Sequence, residues 1–167
     1  MRDHARYLRW CLRQSKGIAI VKPSENLVRA YLQKSRNAIK SMEVNAEASI
    51  IDWAVSASYY AKYFAVYSLL AKIGVKCEIH DCTIALFEYL FRDTVPRQLI
   101  RELRRSKENR VEAQYYPLVE EVHLEQMMSR TKSFVLDIGE TMDGLDSESI
   151  ARLRSRVKDL TATSRTH

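Results

Sequence analysis

The sequence predicts an all-α protein: an up-and-down four-helix bundle with additional short helices at the N- and C-termini. Three observations lead there. The 167 residues contain only 4 Gly and 3 Pro, too few for the many turns of a sandwich or barrel. Apolar residues recur at helical spacing in successive segments, each bounded by start and stop signals. The longest apolar stretch, Trp53 to Phe91, divides at Gly74 into two helices that read as the centre of the bundle.

Residues 4 to 16 read as a short amphipathic helix with Tyr7, Leu8, Trp10, Cys11 and Leu12 as its apolar part, stopped by Gly17. An extended connector to Pro23 follows, since a residue before proline disfavours the α region. Ser24 is placed to cap a helix over 25 to 42, with Leu27, Ala30, Tyr31, Ala38, Ile39 and Met42 facing inward. Residues 43 to 47 read as a loop. Ser49 followed by Asp52 resembles a capping signal for a long helix from Ile50 to Ile73. Its inward face is rich in small residues, which lets neighbouring helices approach closely. Tyr59, Tyr63 and Tyr67 form a second stripe at i, i+4, i+8, expected in core packing or as a dimer interface.

Gly74 ends that helix, and the next starts around Ile79 to Asp81 and ends near Arg92. Pro96 suits the first turn of a charged helix over 97 to 109. Residues 110 to 116 continue it or form a kinked junction before Pro117. An amphipathic helix is expected over 118 to 142, with Asp143-Gly144 as its stop. Asp146 or Ser147 can cap a last helix carrying Ile150, Leu153, Val157 and Leu160. Its Arg152, Arg154, Arg156 and Lys158 are expected on a solvated outer face, and 161 to 167 are expected to fray.

Composition narrows the function only partly. No apolar run reaches about 18 residues without a charge, so no membrane span is expected. The leading MRDHARYLRWCLRQSKG carries charges where a signal peptide needs an apolar stretch, so a cytoplasmic location is expected. In that compartment the three cysteines are expected as reduced thiols. Cys77, His80 and Cys82 do not have a standard zinc spacing and lack an evident fourth ligand, so no metal or other cofactor is assigned. The net charge of +6 permits binding to nucleic acid or to an acidic partner without specifying either. Arg97, Arg101, Arg104, Arg105 and Lys107 form a basic run that is either a solvated face or a surface for RNA phosphates or an acidic partner.

Several residues together resemble the HEPN domain family, and within it the small stand-alone prokaryotic proteins. They are Leu27 and Ala30-Tyr31, then Tyr59-Tyr60-Ala61, then Leu69-Leu70-Ala71-Lys72-Ile73-Gly74. Cys77 through Asp81, Arg110 and Tyr115-Tyr116 complete the set. The resemblance covers roughly residues 24 to 142. It divides the chain into an N-terminal helix and connector (1–23), a HEPN-like bundle (24–142) and a basic amphipathic helix with its tail (143–167).

The resemblance implies a helical bundle, often dimeric, similar to the C-terminal domain of some nucleotidyltransferases. Many members work beside a minimal nucleotidyltransferase in toxin–antitoxin pairs. Active members are metal-independent ribonucleases with an Arg followed, after four to six residues, by a His. There the His handles the 2′-OH or leaving-group proton and the Arg stabilises the phosphorane charge. In this sequence Arg110 is present, but the His position holds Tyr115 or Tyr116. An unperturbed tyrosine has a pKa near ~10 and is a poor base at neutral pH. The expectation is therefore a non-catalytic HEPN-like binding subunit, a homodimer that partners a nucleotidyltransferase or binds a nucleotide. The alternative is a divergent ribonuclease or RNA-binding toxin using Arg110, with Tyr115, Tyr116 or His80 in the proton role.

Overall fold

The computed structural model describes residues 2–116 and 123–164, with side chains over 4–116 and 123–162. Its elements are α1 (Arg2–Arg13), β1 (Ala19–Ile20), α2 (Glu25–Glu47), α3 (Ile51–Lys72), β2 (Val75–Lys76), α4 (His80–Phe91), α5 (Arg97–Tyr115), α6 (Leu124–Asp143) and α7 (Ser147–Ser164). The all-α bundle is as expected. The first part of the anticipated helix over 118 to 142 lies outside the described residues. No described helix is long and apolar enough to cross a membrane.

α3 is the axis of the bundle, and it packs against α2, α5 and α6. It is apolar on every side, so almost its whole length is buried. This corrects two expectations. The α3–α4 pair is not the centre, because α4 lies across one end, against α1 and α5 as well as α3. The Tyr59/Tyr63/Tyr67 stripe is not a dimer surface either. Those residues are 0%, 5% and 5% exposed within this one chain, leaving no area for a second copy.

α2 begins where Ser24 Oγ accepts from Leu27 N at 3.3 Å. The helix runs to Glu47, so residues 43 to 47 are helical rather than a loop. That segment holds no Gly or Pro to stop it, and Asn45 Nδ2 adds a bond to Ser41 O at 2.7 Å. Ser49 adopts φ 59° to make the turn, and Ile50, not Ser49, occupies the cap position of α3. The buried line of α2 is Val28, Ser35 and Met42, while Leu27 and Ala30 face outward. Ser35 sets this rotation, because its Oγ donates to Ala61 O at 2.7 Å where α2 and α3 touch.

The ends of the described chain clasp each other. β1 pairs antiparallel with β2, Ala19 opposite Lys76 and Ile20 opposite Val75. Gly74, at φ 69°, allows the turn into β2, and a Cβ there would lie 2.6 Å from Val21 O. α7 then locks this corner. Arg154 Nη1 donates to the carbonyls of Val21, Ile73 and Gly74 at 3.0, 2.7 and 3.1 Å. Arg156 Nη1 donates to Leu90 O at 3.0 Å, and its Nη2 to Tyr89 O, at the C-terminal end of α4. These two arginines are therefore structural rather than part of a solvated face, and residues 161 to 164 are helical rather than frayed.

Cys11 and Cys82 form a disulfide joining α1 to α4, with Cα atoms 5.7 Å apart. This corrects the expectation of three reduced thiols. Only Cys77 remains a thiol, and it is buried. No group of three His, Cys, Asp or Glu that could hold a metal occurs among the described residues.

Candidate functional site

The first turn of α4 delivers the central residue. Ile79 is the cap residue, so His80 opens the helix. Thr83 Oγ1 lies 3.0 Å from Cys77 O and 3.1 Å from Ile79 O, which ties the turn down. His80 Nδ1 is 2.5 Å from the Tyr59 hydroxyl of α3. The imidazole also stacks on Tyr63, with centroids 4.2 Å apart and planes 5° from parallel. Tyr59 is fully buried, and its hydroxyl has no other partner among the described residues. A buried O–H must be given to an acceptor, so Tyr59 donates and Nδ1 accepts. The proton of the neutral imidazole then sits on Nε2.

α5 brings in the cations. The Arg110 guanidinium lies over Tyr60 at 5.4 Å and over Tyr59 at 5.9 Å from the ring centroids. Its Nε is buried and has no hydrogen-bond partner among the described residues. One turn earlier, Lys107 Nζ is 2.5 Å from Asp81 Oδ1, in the first turn of α4. Burial holds the His80 pKa below its ordinary value, and the neighbouring charges of Arg110 and Lys107 lower it further. Burial also keeps the tyrosines protonated, pushing Tyr63 up to about 12 and Tyr59 higher still.

The structure thus brings Arg110, His80 and Lys107 together. The remaining residues of the basic run divide. Arg104 is ion-paired to Glu88 of α4, whereas Arg97, Arg101 and Arg105 are exposed, with no ion pair among the described residues. Tyr115 and Tyr116 stand at the far end of α5, 73% and 68% exposed, away from His80. Tyr115 instead borders a hollow of about 250 Å³ with Asp52, Trp53, Ser56 and Gln114. The Ser56 hydroxyl is buried there without a partner among the described residues. Sequence reasoning gave Tyr60 and Asp81 no role at the site and overlooked this hollow. The available signal was spacing, since Lys107, Arg110 and Gln114 fall at i, i+3, i+7 on α5, as do Trp53, Ser56 and Tyr60 on α3.

The sequence model of the HEPN domain matches residues 28–144, well over half of the chain and including every residue of this corner. The chain belongs to the HEPN domain family. It is a family associated with nucleotide or RNA binding and with ribonuclease activity. No curated protein matches the chain. In this HEPN protein α1 and α7 lie outside the matched residues.

What the HEPN corner offers chemically is donors. Arg110 has a spare N–H, Lys107 an ammonium, and His80 an Nε2–H, all beside the N-terminus of α4. A pH test follows from the depressed His80 pKa. The unfolded chain binds a proton near pH 6.5 that the folded chain resists. The His80 contribution to stability is therefore present above pH 6.5 and is lost as pH falls below it. Urea unfolding between pH 5 and 7 is expected to show a steeper loss for wild type than for His80→Gln. Parallel curves would remove this account of the site's electrostatics.

Proposed function

We propose that this HEPN chain is a binding module that takes the phosphate of a nucleotide or of RNA at the corner of His80, Lys107 and Arg110, without cleaving it. The observation that carries the reading is the Arg110 guanidinium, held on two tyrosine rings with a buried, unused N–H. A buried cationic donor without a partner is costly, and a phosphate oxygen would satisfy it with a charge-assisted bond. Cleavage would need an acceptor for the 2′-OH proton. His80 Nδ1 is already taken by Tyr59 and Nε2 is protonated, and the Tyr at the expected His position lies apart. In the wider reading the chain pairs with a second copy and serves as one subunit beside a minimal nucleotidyltransferase, in a system of toxin–antitoxin type. The family resemblance supports that reading.

Arg110→Ala is expected to weaken binding of a 5′-phosphorylated oligoribonucleotide about tenfold and to reduce the salt slope by about one. Unchanged affinity and slope would reject the phosphate corner. The second reading is a metal-independent ribonuclease, favoured by the meeting of Arg110 and His80 on the same tyrosines. RNA incubated with the protein in EDTA separates the two. Cutting by wild type but not by Arg110→Ala establishes the second reading, and an uncut substrate upholds the first.

A further inference from the structure

We infer that the groove between α3 and α5 holds the base of the ligand whose phosphate sits on Arg110, and that this base is guanine. The inference rests on the phosphate corner proposed above. On α5, Lys107, Arg110 and Gln114 share one face, and on α3, Trp53, Ser56 and Tyr60 do the same. The helices run antiparallel along this contact, because Arg110 meets Tyr60 while Gln114 and Ser56 line the same hollow. From Arg110 to Gln114 is four residues, about 6 Å of helix rise. That is the reach of one sugar, so a phosphate on Arg110 places its base in the hollow.

The hollow has the chemistry of a base site. Trp53 and Tyr115 border it, 60% and 73% exposed, as two large aromatic faces available for stacking. Its volume of about 250 Å³ leaves room for a planar ring system. Three polar residues line the hollow with Trp53 and Tyr115: Asp52, Gln114 and Ser56. Asp52 also suits the first turn of α3, but the Ser56 hydroxyl, on a residue only 2% exposed, has no partner among the described residues. A carboxylate accepts two parallel N–H bonds. Guanine presents such a pair, N1–H and N2–H, on its pairing edge, with O6 beside them for an amide or hydroxyl donor. Adenine presents one exocyclic amine and no second donor beside it.

Titration calorimetry with GMP, AMP and guanosine tests this, using wild type, Asp52→Asn, Trp53→Ala and Arg110→Ala. Asp52 and Trp53 sit in the first turn of α3, and circular dichroism confirms that each variant folds. GMP is expected to bind about tenfold more tightly than AMP. Asp52→Asn should erase that preference while leaving AMP affinity unchanged. Trp53→Ala should weaken both nucleotides about tenfold. Equal affinity of wild type for GMP and AMP overturns the guanine slot, and the phosphate corner then survives if Arg110→Ala weakens both. If Arg110→Ala leaves GMP affinity intact while Asp52→Asn removes it, the slot is upheld and the corner falls. Oligoribonucleotides ending in a 5′-phosphorylated G or A separate the sources. A matching preference for the G end places the base in RNA, and a preference confined to GMP places it in a free nucleotide.

Discussion

Glu102→Ala is expected to destabilise the chain by about 3–5 kcal/mol, the cost of leaving a buried ammonium without its partner. Lys62 is 3% exposed in the middle of α3. Its Nζ lies 3.0 Å from Glu102 Oε1 and donates to Ser106 Oγ at 2.8 Å, both on α5. Burial lowers the Lys62 pKa, and Glu102 is the main influence raising it back. Without Glu102 the folded chain resists the Lys62 proton more strongly, whereas the unfolded chain still binds it. The deficit should therefore be largest near neutral pH and shrink as pH rises through the lowered Lys62 pKa. Replacing both partners, Lys62→Met with Glu102→Leu, should recover most of the loss, since two apolar groups of similar volume need no counter-charge. Urea unfolding at pH 7 and pH 9 reads all of this. A single-variant loss below about 1 kcal/mol would mean that the pair is solvated, as surface pairs are.

Reduction of the Cys11–Cys82 bond is expected to cost about 2–4 kcal/mol. The two cysteines are 71 residues apart in sequence, so the bond removes much of the unfolded chain's freedom. The bond also holds α1 on α4, where His4 Nε2 lies 3.2 Å from Ala85 O. Urea unfolding with and without dithiothreitol, beside Cys11→Ala/Cys82→Ala, measures the contribution. The reduced wild type and the double variant should unfold together, at lower urea than the oxidised protein. Coincident curves for all three would show that the bond adds no stability.

Features that depend on a few neighbouring residues were legible in the sequence. Ser24 caps α2, Gly74 turns out of α3 and Gly144 follows α6, each through local backbone chemistry. Features set by distant packing were not. The apolar residues of α3 lie on every side, so periodicity alone could not separate an inner face from an outer one. The rotation of α2 depends on a serine meeting Ala61 across the bundle, and serine carries no apolar signal. Arg154 and Arg156 looked like surface charges because their acceptors are carbonyls at least 66 residues away. In the candidate site, Arg110 and His80 were legible through the family resemblance. The roles of Tyr59 and Tyr60 were not, because they depend on α3, α4 and α5 meeting at one end.

The Arg154 clasp also sets an order of assembly on the ribosome. Arg154 follows Val21 by 133 residues, roughly 7 to 27 seconds of synthesis. During that interval the bundle of α2 to α6 can form, while the connector through Val21 lacks the guanidinium that gathers its carbonyl. The connector is translated before the bundle, and its last tie, to Arg154, is made after it. A nascent chain stalled before α7 emerges should therefore be cut by protease in the connector, and one released past α7 should be protected there.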